Sequence, residues 1–292
     1  MPVDALFQPG QVRLADTGEP RQLVPAQSRD PPPAGGFGRT WAEAALSRGD
    51  RVAATARRPE SLRPLVDAYG DGVLPLRLDV TDREAATAAV RHAADAFGHL
   101  DVVVNNAGYG LFGMVEETTE EQARAQLDTN LLGPLWVTQA ALPFLRARRS
   151  GHIVQVSSLG GLAAFPTLGL YNASKWALEG MSEALAQEVG PLGVHVTIVE
   201  PGPYGTDWSG SSAVHTVPIA AYEPIREARR AGAVARAPQD PRPTGDVILE
   251  LVDSGEPPLR LFLGTYPYPV VEAAYRQRLA TWDAWRPLAA KA

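Results

Sequence analysis

The feature that most constrains this chain is a sustained alternation. From residue 39 to about residue 200, short apolar runs take turns with longer segments of helical period. Residues 39–48 read as a helix stopped by Gly49, and 60–69 as a second closed by Gly70. Strand-like runs fall at 51–56, 73–78, 102–104, 153–156 and 194–199. Further helical patterns fill 82–97, 120–142 and 171–189, with Pro143 just past the middle one. Asp82 stands where a cap belongs, and Ala86, Val90, Ala93 and Phe97 share one face of the helix that follows. Parallel strands need crossovers, and right-handed crossovers put helices on both faces of the sheet. The pattern therefore predicts a doubly wound α/β sheet, an architecture that binds ligands at the C-terminal ends of its strands.

Composition removes several alternatives. A length of 292 residues with 45% apolar side chains suits one large α/β domain. The formal charge of -6, with acids and bases interspersed, argues against nucleic acid, which calls for clustered Lys and Arg. With no cysteine, a disulfide scaffold, a thiolate metal site and a cysteine nucleophile are excluded, and no metal is expected. No apolar run reaches membrane-spanning length, and MPVDALFQPGQ lacks the features of a signal peptide. The expectation is a cytoplasmic protein with no membrane or nucleic-acid partner. Residues 203–243, rich in Pro, Ala, Gly and Arg, are predicted to form a mobile flap over a pocket, before strand pattern resumes at 260–263. The last helix is predicted over about 270–285, with Trp282 and Trp285 read as packing residues, and His215 is read as a loop residue without a role.

The candidate chemistry lies in Y-N-A-S-K, where Tyr171 and Lys175 are four residues apart and so share a helix face. A tyrosine is a poor base near neutral pH, and a neighbouring ammonium favours its phenolate. Such a pair can exchange a proton with a carbonyl or alcohol oxygen. Ser158, thirteen residues before Tyr171, ends a strand and faces the ligand crevice, although Ser157 competes for the role. Asn130 sits inside a predicted helix in D-T-N-L-L-G, and an inward side chain holding a water or a backbone carbonyl would explain it. The strand at 51–56 ends in Ala56, where an NAD-preferring site usually has an acid, and Arg57 and Arg58 follow. A guanidinium suits a 2′-phosphate, so NADP(H) is expected over NAD.

These motifs occur in one order: N-N-A-G at 105–108, Asn130, Ser158, Y-x-x-x-K, and P-G-x-x-x-T at 201–206. In that order and spacing the chain resembles the short-chain dehydrogenase/reductase family over about residues 36–264. The resemblance implies a single Rossmann-type α/β domain and a catalytic tetrad of Asn130, Ser158, Tyr171 and Lys175. It favours Ser158 over Ser157. Tyr171 would be the general acid/base, Ser158 would position the substrate oxygen, Lys175 would lower the tyrosine pKa and hold the nicotinamide ribose, and Asn130 would anchor a relay water. Asp79 and Val80 would contact the adenine. Asn105, Ala107 and Gly108 would line the adenosine ribose, and Pro201, Gly202 and Thr206 the nicotinamide and its phosphate. A homodimer or homotetramer is a further implication.

One region departs from the family pattern. Gly36, Phe37 and Gly38 supply the end of a glycine-rich phosphate loop, but an ungapped match puts Pro31 and Pro32 where Thr and the first Gly belong. Residues 1–34 thus read as an atypical segment ahead of a domain spanning 35–292. Either residues 22–24 form a short first strand with a lengthened loop, or the first strand is missing, as a shifted reading frame upstream of Gly35 would make it. The second case would leave two inner strand edges unpaired. The leading functional expectation is an NADP-dependent oxidoreductase interconverting a hydrophobic ketone or aldehyde with its alcohol. Leu111, Phe112, Met114, Leu159, Phe165, Tyr204 and Trp208 would line its pocket. A catalytically impaired binding or regulatory protein is the alternative, and an epimerase or dehydratase of the extended relatives a third reading.

Overall fold

The computed structural model describes residues 21–26, 36–206, 208, 210, 212–234 and 238–292. Seven parallel strands form one sheet: β1 (Gln22–Ala26), β2 (Arg51–Ala56), β3 (Val73–Arg77), β4 (Val102–Asn105), β6 (Gly151–Val156), β7 (Val194–Pro201) and β9 (Arg260–Leu263). Their spatial order is β3-β2-β1-β4-β6-β7-β9, so the direction of winding reverses at β1 and β4. Two two-residue strands, β5 (Leu111–Phe112) and β8 (Val214–His215), pair beside it. The helices are α1 (Phe37–Arg48), α2 (Arg63–Tyr69), α3 (Arg83–Phe97), α4 (Glu120–Leu127), α5 (Gly133–Arg148), α6 (Gly169–Val189), α7 (Glu223–Val234), α8 (Thr244–Asp253) and α9 (Pro267–Ala289).

Strand alternation explains the layers. Val102 and Val104 pack into the core beneath α1 and α8, while Val103 between them packs into the opposite core with α3 and α5. Trp41 fills the first core and is 1% exposed; its indole N–H donates to Thr244 Oγ1 at 2.8 Å, tying α1 to α8. The predicted doubly wound sheet is therefore present, with apolar cores on both faces.

The first strand is also present. β1 lies between β2 and β4 in register, Leu23 opposite Val52 on one side and Val102 on the other. The reading with a short strand at 22–24 is the one realised, extended to Ala26, and no inner edge is left open. Carboxylates at the base of the sheet hold its entry: Asp101 Oδ2 accepts from Gln22 N at 2.9 Å and Asp50 Oδ1 from Arg21 N at 3.2 Å. Pro25 stands within this strand and has no N–H to give the ladder, yet it keeps register opposite Val104. The proline pair Pro31-Pro32 lies outside the described residues.

Several boundaries differ from those read in the sequence. The helix expected at 120–142 is two helices, α4 and α5, joined by a π-turn at Asp128–Leu132, and Pro143 lies inside α5. The helix expected at 60–69 begins as a 3-10 turn, Pro59–Leu62, because Pro59 and Pro64 remove donors from its first turns. The 203–243 segment contains β8 and α7, so His215 stands in a strand and not in a loop. Trp282 and Trp285 do not pack: they are 66% and 63% exposed on the outer turns of α9. Among the described residues, no helix is long and apolar enough to cross a membrane and no cluster of three or more metal-ligating side chains occurs.

His152 on β6 is buried, pairs with Thr197 Oγ1 at 2.9 Å, and sits near His195 and Arg21. Burial, with both positive neighbours, pushes its pKa down to about 3. Below pH 6.5 the unfolded chain binds a proton that the fold excludes, so stability falls as pH drops towards 3, by at most about 1.4 kcal/mol per pH unit from this group. Urea unfolding at pH 7 and pH 4.5 should show a smaller acid loss in His152→Gln than in the parent chain.

Candidate active site

The sequence-predicted catalytic residues converge where α6 passes the C-terminal end of β6. Tyr171, in the first turns of α6, is 5% exposed, and Lys175, one turn on, is also 5% exposed. Lys175 Nζ donates to the Val156 carbonyl at 2.8 Å and lies 6.0 Å from the centre of the Tyr171 ring. Successive residues after β6 point opposite ways, which separates the two serines. Ser158 lies on the Tyr171 side, its Oγ and the Tyr171 ring edge 3.5 Å and 3.1 Å from where a Cβ on Gly160 would stand, whereas Ser157 faces Glu179. Ser158 Oγ accepts from Gly160 N at 3.0 Å, which fixes its rotamer at the head of a 3-10 turn.

Asn130 lies in the π-turn, where the widened helix lets its side chain face inward. It is fully buried. Its Oδ1 accepts from Tyr109 N at 3.1 Å, and its Nδ2 donates to Tyr109 O at 3.0 Å and to Ser174 Oγ at 3.2 Å. The side chain thus holds both backbone polar groups of one residue in the loop after β4. Gly108 is where this loop approaches the pair most closely: a Cβ there would stand 3.2 Å from Asn130 Oδ1 and 3.5 Å from Lys175 Nζ.

The electrostatics are set by burial. Desolvation pushes the Tyr171 phenol up to about 12, against hydrogen bonding from Ser158. The Trp208 indole N–H, buried without a well-aligned acceptor, lies near enough to the phenol to pull the same way as Ser158. Burial lowers Lys175 to about 8, and the Glu179 carboxylate resists that fall. The sequence led to the expectation that Lys175 makes the phenol acidic. Desolvation, the largest influence on the phenol, works in the opposite direction and favours its neutral form.

Residues predicted for cofactor contact gather at the ends of β2, β3 and β4. Arg57, Asp79, Val80, Ala107 and Gly108 line one cavity of about 220 Å³, together with Leu78, Thr81, Ala125, Asp128 and Thr129. Asn105 is not at that cavity: it is buried, with its Nδ2 donating to Thr138 Oγ1 at 3.0 Å. Gly36 caps α1, whose first turn carries no acid, and Gly38 is buried within it. Phe37 is turned sideways, stacked on Trp41 at 5.3 Å and edge-on to Tyr204 at 5.2 Å. Pro201 is buried at the end of β7, and Gly202 and Thr206 follow, partly exposed.

On the other side of Tyr171 an aromatic wall runs outward. Trp208 lies 4.9 Å from the Tyr171 ring and 5.0 Å from Phe112, and Phe112 stacks on His215 at 5.2 Å. Gly110 makes room for it, since a Cβ there would stand 2.7 Å from Phe112 and 3.0 Å from Trp208. Leu111, Met114 and Leu159 are buried nearby in sequence and Phe165 is partly buried, whereas Tyr204 belongs with Phe37 and not with this wall. Sequence reading missed two buried polar anchors. Gln126 bonds Leu111 N at 2.9 Å and Tyr109 O at 3.1 Å. Glu117 accepts from Met114 N and Ile219 N at 2.8 Å and from Thr216 at 2.9 Å, and pairs with Arg226, so one carboxylate fastens the 212–234 segment. Neither has a motif, because an acid or amide in a polar helix looks the same in sequence whether it faces water or the core.

Comparison with known proteins bears on the fold and the family. The family model described as short chain dehydrogenase matches residues 33–215. Oxidoreductase BOA17 of Botryotinia fuckeliana is 41% identical over 87% of this chain and 94% of its own length. The 3-ketodihydrosphingosine reductase of Bacteroides thetaiotaomicron is 32% identical over 86% of this chain and 90% of its own. A short-chain dehydrogenase from Streptomyces avermitilis superposes with a TM-score of 0.86 at 35% identity, covering 94% of this chain and 99% of that one.

Replacing Asn130 by Ala removes the acceptor from the Tyr109 N–H and one of the two donors to its C=O, which keeps Gln126, and should cost about 1–3 kcal/mol of unfolding free energy. Chemical denaturation of Asn130→Ala beside Tyr171→Phe, which removes only one hydroxyl, is the measurement.

Proposed function

The chain belongs to the short-chain dehydrogenase/reductase family of NAD(P)-dependent oxidoreductases, and from that premise we propose that it reduces a lipophilic ketone or aldehyde with NADPH. The observation that carries this reading is the convergence of Tyr171, Lys175 and Ser158 where α6 passes the end of β6, with Lys175 Nζ held on the Val156 carbonyl 6.0 Å from the Tyr171 ring centre. Burial pushes the phenol up to about 12, so that, like an ordinary tyrosine, it would carry its proton throughout the neutral range. Reduction of a carbonyl needs a donor at the oxygen as hydride reaches the carbon.

The residues present suit a dinucleotide. The N-terminus of α1, with no side-chain cap at Gly36 and no acid in its first turn, would offer backbone N–H groups at Gly36, Phe37 and Gly38 to a pyrophosphate. Arg57 stands in the cavity where a 2′-phosphate would lie, with Ala56 and no acid ending β2, which supports NADP(H) over NAD. Asp79 and Val80 would border the adenine, with Ala107 and Gly108 beneath the adjoining ribose. Asn105 would act from behind, by holding this strand end to α5. Pro201, Gly202 and Thr206 would frame the nicotinamide end, and Tyr171 and Lys175 its ribose. Bound there, the nicotinamide supplies the hydride.

The protein's own part is acid catalysis and positioning. Ser158 donates to the substrate oxygen and holds it against the phenol, and Tyr171 releases its proton to that oxygen. Lys175, an ammonium beside the ring, stabilises the phenolate that remains. Asn130 keeps the Tyr109 loop against this group, and a water on it would carry the replacement proton. The aromatic wall of Trp208, Phe112 and His215 excludes bulk water and favours an apolar substrate, a class consistent with the keto-lipid name of the Bacteroides relative.

Tyr171→Phe should lower kcat for NADPH-dependent carbonyl reduction by about 100-fold or more while the affinity for NADPH, read by fluorescence titration, stays within about twofold. Undiminished NADPH oxidation by that variant would overturn the assignment. Arg57→Ala should raise KM for NADPH at least about tenfold and leave KM for NADH nearly unchanged, since one charge-assisted hydrogen bond contributes about 1.5–3 kcal/mol. In the reductive direction kcat/KM should fall as pH rises through about 8, where Lys175 loses its charge, well before the phenol ionises near 12.

A further inference from the structure

Behind the catalytic pair, away from the substrate side, lies a second group of ionisable side chains that the mechanism above leaves unused. Glu179 follows Lys175 by one turn on the same face of α6. Glu200 projects from β7 into the same space and has no exposed side-chain surface; the Glu179 side chain is 7% exposed. Arg260 from β9 reaches both, its Nε standing 3.3 Å from Glu179 Oε2 and 3.4 Å from Glu200 Oε1, while its Nη2 pairs with Glu183 at 2.8 Å nearer the surface. Ser157, at the end of β6, closes the remaining side. Gly161 leaves the room: a Cβ there would lie 2.7 Å from Ser157 Oγ and 3.0 Å from Glu179 Oε1.

Two carboxylates on either side of one guanidinium N–H cannot both stay charged in a dry interior. One cation does not balance two anions there, and the like-charge repulsion is removed by binding a single proton. Both carboxyls are accordingly shifted upward, Glu200 to about 8, with burial the largest cause; the neighbouring Glu179 raises Glu200 further, whereas the contact with Glu200 holds Glu179 down, so the proton resides more on Glu200. The remaining negative charge is divided between an oxygen set close to Lys175 and one further away, because Glu179 acts on the lysine and Glu200 acts on Glu179.

We propose that Glu179 and Glu200 share one proton, and that the negative charge left on Glu179 is what keeps Lys175 an ammonium in its buried place. Glu179 is in this sense a positioning residue, acting on the reaction through the lysine. The inference rests on the function proposed above only for its kinetic readout; the charge of Lys175 is a property of the chain itself. The two carboxylates have opposite effects. Without Glu179, the lysine loses its counter-charge and gives up its proton more readily. Without Glu200, Glu179 no longer shares and carries the whole charge, so the lysine holds its proton more firmly.

The chain makes the test direct, because only two of its 27 basic Lys and Arg side chains are lysines, Lys175 and Lys291. In protein labelled with [13C]lysine, Lys291→Arg assigns the two side-chain signals, and a pH titration without added nucleotide reads Lys175 alone. We expect its midpoint near 8 in the parent chain. Glu179→Gln should lower it by about 0.5–1 pH unit and Glu200→Gln should raise it by a similar amount. Glu179→Asp, which keeps the charge, should restore most of the parent value, and it carries the test should Glu200→Gln fail to fold. The alkaline limb of carbonyl reduction should move in the same directions. Shifts of the same sign in both Gln variants, or an unmoved Lys175 signal, would overturn the proposal whatever the rates do. Lys175 shifts of the expected signs with an unaltered rate profile would uphold the shared proton and instead refute the Tyr171–Lys175 chemistry.

Discussion

The site depends on keeping one ammonium dry. Lys175 is buried among a carbonyl, a phenol ring and a carboxylate, and an unsupported charge there would cost several kcal/mol. The fold supplies the support in pieces from separate elements: the Val156 carbonyl where β6 ends, the Tyr171 ring one turn before it on α6, Glu179 one turn after, and Glu200 and Arg260 from the last two strands. The long α6 is therefore more than a crossover helix, since its face carries the reacting phenol, the cation and the counter-charge in successive turns. The preference for arginine elsewhere in the chain sharpens this. Arginine stays charged under all conditions and cannot be tuned by burial, whereas lysine can, and the one buried lysine stands where a tunable cation is needed.

Burial then acts on the phenol as well as on the ammonium. A phenol near an ammonium in water would be more acidic than usual. In this pocket, desolvation acts on both groups, and it raises the neutral form of the tyrosine as it lowers the charged form of the lysine. The result is a neutral phenol beside a lysine whose charge burial weakens and Glu179 supports. Trp208 and Phe112 cover the other side of the Tyr171 ring, so the aromatic wall adds to the burial that sets the electrostatics.

What could be read in the sequence followed from local spacing. Tyr171 and Lys175 lie one turn apart whatever surrounds them, Ser158 ends a strand, and the strand–helix alternation dictates the sheet. Asn130 was legible as an oddity in a helix, although not the π-turn that makes it face inward. Relations between distant segments could not be read: the buried anchors Glu117 and Gln126, the pairing of Tyr204 with Phe37, and the junction of Glu179, Glu200 and Arg260. β1 was hard to read for another reason. An inner strand is normally marked by a run of β-branched residues, and QLVPA has one valine and a proline. Its place is fixed by its neighbours, through Asp50 and Asp101 at its start and the edges of β2 and β4, more than by its own propensity.

The loop from Tyr109 to Gly113 connects these observations. It leaves β4 at the nucleotide end and arrives at Phe112 on the substrate side, so its position sets the distance between the two halves of the site. Loops of this kind are usually the mobile part of an enzyme. Here three buried side chains hold it from three elements. Asn130 grips Tyr109 from the π-turn, Gln126 grips Tyr109 and Leu111 from α4, and Glu117 binds the backbone at Met114 together with Thr216 and Ile219 across the cleft. Every bond to the loop itself is to backbone, and of these partners only Thr216 is held by its side chain, so the restraint does not depend on which side chains the loop presents. Phe112, Leu111 and Met114 can then vary with the substrate while the phenol, the ammonium and the strand ends keep their spacing. The carboxylate of Glu117 also ties the 212–234 segment to this frame, so the covering segment and the catalytic loop share one anchor.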